Sequence, residues 1–104
     1  MALGEMTTYD NRACMRYYDE NYYKDYDFYT CELIHEKHGE FSETWYTHND
    51  DGTTTVKVQC NNGEEIIKKL DANGNEVYYK SKYLEIHRVF DSNNVCSDEK
   101  VIKL

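Results

Sequence analysis

The sequence predicts an α+β fold, one N-terminal helix packed on an antiparallel β-meander of five to six strands. Three observations lead there. Gly52, Gly63 and Gly74 recur every eleven residues, each preceded by Asp or Asn. Asp-Gly and Asn-Gly pairs favour hairpin turns of type I′, which need positive φ at both central residues. Between these turns run alternating segments, clearest at 54–60, where Thr54, Val56, Val58 and Cys60 share one side and Thr55, Lys57 and Gln59 the other. Upstream, Cys14, Tyr18 and Tyr22 fall at i, i+4 and i+8, the spacing of one helical face.

The elements follow in order. A helix over 9–20, capped by Thr8 or Asp10, covers one face of the sheet. Residues 1–25 form this N-terminal segment and 26–104 the meander, together one domain. Strands are expected at 27–36, 40–48, 54–60 and 64–70. Residues 75–90 are too long for one strand: Val77 and Tyr79 lie on one parity, Leu84, Ile86 and Phe90 on the other. The slip places a break at Lys80-Ser81-Lys82. A short strand at 100–104 closes an edge.

The chain has 104 residues, 39% hydrophobic and 31% charged, the composition of one globular domain. No run approaches the roughly 20 apolar residues of a membrane helix, and the first residues lack the basic start and apolar run of a secretory signal. These features predict a cytoplasmic protein. Cys14, Cys31, Cys60 and Cys96 contain no C-x-x-C pair and are expected as free, partly buried thiols, with disulfides as the alternative.

Charge is distributed unevenly. Residues 1–51 hold four basic and twelve acidic side chains, whereas residues 52–104 hold eight of each, so the whole net charge of −8 belongs to the first half. Such a field repels nucleic acid and anionic membrane and attracts basic surfaces. Within it, residues 17–29 gather six of the eleven tyrosines and four carboxylates. Tyrosine gives a large contact area at low entropic cost. Carboxylates on alternate strand positions, about 6.6–7 Å apart, approach the spacing of phosphates along a nucleic-acid strand. The candidate contact residues are Asp19, Glu20, Asp25, Asp27, Glu32, Glu36, Glu40 and Glu43 for charge, with Tyr22, Tyr23 and Tyr26 as anchors.

In size and composition, through the run 17–29 and the acids Glu32, Glu36, Glu40, Glu43, Asp50 and Asp51, the first half resembles small acidic phage anti-CRISPR proteins and other DNA-mimic inhibitors. The resemblance carries no shared motif. It implies a phage protein in the host cytoplasm that occupies the basic groove of a nucleic-acid-binding defence nuclease; the expected protein is a monomer or homodimer that does not bind nucleic acid itself.

Two other constellations stand beside it. Cys31, His35, His38 and His48 offer thiolate and imidazole, the chemistry of a small zinc domain, at a spacing that matches no standard site. The segment 70–77 resembles one turn of the YD-type β-repeats of large wrapping proteins, which would make the chain a structural module associating through its sheet edges. No phosphate-cradling loop, zinc-protease helix or serine triad is present. The sequence therefore predicts a binding protein without cofactor rather than an enzyme.

Overall fold

The computed structural model describes residues 3–104. It contains ten strands: β1 (Leu3–Tyr9), β2 (Arg12–Tyr18), β3 (Tyr22–Asp27), β4 (Leu33–His38), β5 (Ser42–His48), β6 (Thr54–Cys60), β7 (Glu65–Leu70), β8 (Glu76–Lys80), β9 (Leu84–Phe90) and β10 (Cys96–Lys103). Each pairs antiparallel with the next, in one open sheet ordered β1 to β10. The fold is therefore all-β, not α+β, and the described residues contain no helix.

The expected helix at 9–20 is the β1–β2 hairpin. Asp10 and Asn11 both have positive φ, 52° and 60°, which makes their two-residue loop a type I′ turn. Asp and Asn are the non-glycine residues that best tolerate this conformation. The i, i+4 spacing of Cys14 and Tyr18 misled because it is also an even spacing, which keeps two residues on one face of a strand. Tyr22 completes the helical pattern only in sequence. Tyr18 pairs with Tyr23 across the next turn, so Tyr22 lies on the opposite face.

The eleven-residue period has a different turn from the one expected. At 50–52, 61–63 and 72–74 only the glycine has positive φ, between 85° and 88°. In the last of these, Gly74 N donates to Asp71 O at 3.0 Å and Asp71 N to Asn75 O at 2.9 Å. This is a type I turn closed by a left-handed bulge residue, a three-residue loop. The same pair of bonds recurs at 92–94, with Asn94 (φ 61°) in the glycine's place. The parity slip near residue 81 is a hairpin, with Tyr79 opposite Ile86.

Among the described residues no second layer covers the sheet, and the strand backbones pack substantially only against their sequence neighbours. Nine inter-strand spacings of about 4.8 Å give roughly 43 Å, and the longest dimension is 42 Å. The radius of gyration is 15.5 Å, against roughly 13 Å for a compact chain of this length. Among the described residues only Cys14, Ile34 and Val56 are buried and apolar.

The N-terminal half nevertheless curls. On a flat sheet β1 and β5 would lie about 19 Å apart. Here the Tyr9 ring of β1 stacks on His35 of β4 with centroids 4.1 Å apart, and Trp45 Nε1 of β5 donates to the Tyr9 hydroxyl at 2.6 Å. The face that carries Tyr9, Cys14, Arg16, Asp25, His35 and Trp45 is thus the inner one. An irregularity in register between Asp25 and Tyr26, where Ile34 is the extra residue of β4, increases the local twist.

Candidate functional site

The inner face of β2–β5 buries charge. Asp25 is 0% exposed and His35 1%. Register places Arg16 opposite Asp25 and Asp25 opposite His35. Arg16 donates from Nε and Nη2 to the two Asp25 oxygens at 2.7 and 3.0 Å, and its guanidinium sits 4.0 Å from the centre of the Tyr23 ring. His35 Nδ1 lies 2.8 Å from Asp25 Oδ2 and Nε2 lies 2.6 Å from Glu43 Oε2. Both ring nitrogens are therefore engaged, each by a carboxylate. No ring nitrogen remains to take a proton from a substrate. Lys37 Nζ, 3.5 Å from Glu43, completes the chain of charges.

Asp27 is held separately. Its carboxylate accepts from the backbone N–H groups of Thr30 and Tyr29 and from Arg12 Nε at 3.0 Å. These donors, the two N–H groups foremost, bring its pKa down to about 2. On the outer face, burial works against the Glu36 carboxylate. Donation from His38 Nε2 at 2.7 Å and the Tyr46 hydroxyl at 2.8 Å outweighs it, and the pKa falls below the usual range.

The tyrosines form a different feature. On the outer face of β2 and β3, a groove of about 660 Å³ is lined by Met15, Tyr17, Tyr22, Tyr26 and Phe28, with Lys24 among them and Asp19 at one end. Met15 pairs across with Tyr26, and Tyr17 meets Tyr26 edge to face with centroids 5.6 Å apart. Tyr17 and Phe28 remain 42% and 44% exposed. The Tyr22 ring stacks on His38, and its hydroxyl donates to Asp19 at 3.0 Å. The Glu20 N–H and then that hydroxyl lower the Asp19 pKa, which keeps the mouth of the groove anionic.

The structure divides the expected contact residues. Asp25, Asp27 and Glu36 are buried and paired, and Glu43 joins His35 and Lys37. Glu32 lies 3.2 Å from His48 Nδ1. Exposed carboxylates remain on Asp19 and Glu20 in the β2–β3 turn and on Glu40 in the β4–β5 turn, at the same end of the sheet. Asp10, Asp50 and Asp51 are exposed at the opposite end. The acids thus make no single row at phosphate spacing, because the strands use several of them to pair with Arg12, Arg16 and their own histidines. Of the anchors, Tyr22 and Tyr26 enter the groove and Tyr23 turns inward against Arg16. Sequence reasoning missed Met15, Tyr17 and Phe28 as groove residues. Their signal was the Asn21-containing turn, which sets the β2–β3 register.

His35 and His38 occupy opposite faces, so the zinc constellation does not converge. Among the described residues no group of three or more Cys, His, Asp or Glu side chains is arranged to hold a metal. All four cysteines are free, with Cys14 buried and Cys31 and Cys96 exposed. No helix among the described residues is long and apolar enough to cross a membrane. No protein family, curated protein or solved structure matches this chain.

Proposed function

We propose that the protein is a binding module that holds a basic segment of another protein on the tyrosine groove of β2–β3. The groove itself carries this reading: it combines exposed aromatic rings, a methionine and an anionic mouth in one concavity. Aromatic side chains of this kind supply most of the affinity of an interface. Asp19, Glu20 and Glu40, at the same end of the sheet, favour a basic partner and speed its approach. A nucleic-acid-processing enzyme, including a defence nuclease of the CRISPR type, presents such a basic surface, and occupation of its groove would inhibit it. In this mechanism aromatic burial holds the complex and the carboxylates guide it, rather than standing in for a phosphate backbone.

The test is capture of purified CRISPR effectors and other nucleic-acid enzymes on the immobilised protein at low and high salt. The wild type should retain a target at both. Tyr17→Ser and Phe28→Ser, at positions exposed enough to spare folding, should each weaken capture by roughly tenfold or more. Capture that is unchanged in both variants and abolished by salt alone would show that charge, not the groove, makes the contact.

A further inference from the structure

The C-terminal half has two unlike faces. Register places Val58, Ile66, Tyr79, Leu84, Ile86 and Val101 on the outer face of β6–β10. The inner face is mainly polar, with Lys57, Glu65, Lys69, Lys80, His87 and Lys100, and carries Ile67, Tyr78, Val89 and Ile102 among them. This is the alternation of a sheet with one side packed on a core and the other in water. Yet no element of the described chain lies across the apolar side. We infer that a second copy of this chain covers it, the two outer faces of β6–β10 packing as a two-sheet sandwich about 10 Å apart.

Two quantities single out a second copy. A compact monomer of 12.4 kDa would expose roughly 6,100 Å², whereas this chain exposes 7225 Å². The surplus, roughly 1,100 Å² over the whole open sheet, is enough to supply the ~800 Å² that each partner buries in a standard interface. Charge points the same way. Residues 52–104 hold eight basic and eight acidic side chains, so two such halves meet without net repulsion, whereas the first halves, at −8 each, would be held apart at the ends. Four of the charged groups on the apolar face already neutralise one another: Arg88 bridges Glu76 and Glu99 at 2.8 and 2.9 Å, and Lys68 lies 3.5 Å from Glu76. Arg88, Glu76 and Glu99 lie beside the apolar residues, where a polar rim belongs, whereas Lys68 stands among them, between Val56 and Tyr79. The dimer leaves the tyrosine groove of β2–β3 outside the interface.

Light scattering coupled to size exclusion tests this on the full chain. The wild type should elute with twice the 12.4 kDa chain mass at micromolar concentration. Val101 is 55% exposed on the outer face of an edge strand and Val89 57% exposed on the inner face, so neither substitution should disturb folding, which circular dichroism checks. Val101→Lys should weaken the dimer at least tenfold by burying an unpaired charge, and Val89→Lys should leave it intact. A monomer at all concentrations would overturn the inference. So would a dimer indifferent to Val101→Lys, which would place association at the free strand edges instead.

Discussion

Arg16→Met removes the guanidinium from the inner face while keeping most of its aliphatic volume. Asp25, fully buried, then loses two of the three side-chain bonds that hold its charge, those at 2.7 and 3.0 Å, and retains only His35 at 2.8 Å. Breaking a buried pair from one side costs about 3–5 kcal/mol, because an uncompensated charge stays behind. The lost contact of Arg16 with the Tyr23 ring, 4.0 Å away, adds roughly 0.5–1 kcal/mol. Against a total stability of about 5–15 kcal/mol, the sheet becomes marginal. With a urea m-value of about 1–1.5 kcal/mol/M for a chain of this size, the midpoint should fall by roughly 2–6 M. Adding Asp25→Asn removes the stranded charge, so the double variant should be more stable than Arg16→Met alone. A single variant within 1 kcal/mol of wild type, or a double variant no better than the single, would refute the view that this network holds the curled half together.

Asp27 gives a pH dependence. Its folded pKa of about 2 lies below the ordinary carboxylate value of about 3.9. Its contribution is therefore complete above that value and lost as pH falls towards 2. Asp27→Asn should lower stability at pH 7 and flatten the acid limb of a stability–pH curve; an unchanged limb would count against the arrangement. Gly63 has φ 88° with open space around its Cα, so Gly63→Ala should cost about 1–2 kcal/mol through conformation alone. Asn94→Gly, at φ 61° in an equivalent loop, should be neutral or stabilising by up to about 1 kcal/mol. Urea midpoints that reverse this order would contradict the assigned turns. Replacing Asp25 or Asp27 with Lys should unfold the N-terminal half, so loss of binding in those variants reports on folding, as far-ultraviolet dichroism will show.

The meander was legible where alternation and glycine agree. β6 lies at 54–60 as read, β7 differs by one residue, and the break near residue 81 was visible in the parity of Tyr79 and Ile86. The fourth three-residue hairpin lacks the glycine mark, because Asn94 takes the left-handed position that glycine holds elsewhere. The N-terminal half was misread for a deeper reason. Its better-buried inner face is the polar one, carrying Asp25, Asp27 and His35, so hydrophobic alternation cannot report which side faces inward. Charge was legible as a sum but not as a surface, since pairing depends on register. Once the turn at 20–21 is known, Arg16 falls opposite Asp25 and half of the expected acidic surface becomes internal structure. The tyrosines Tyr22 and Tyr26 could be chosen from composition, whereas Tyr23 needed the parity of β3.

The most direct measurement compares the affinities of two variants for a captured target, by calorimetry at one salt concentration. Tyr17→Ser with Phe28→Ser alters the groove; Asp19→Asn with Glu20→Gln alters its mouth. The groove variant should lose at least 2 kcal/mol of binding free energy and the mouth variant less than about 1 kcal/mol, mostly in association rate. The opposite order, with the groove variant binding like wild type, would contradict the assignment of the contact to the tyrosine face.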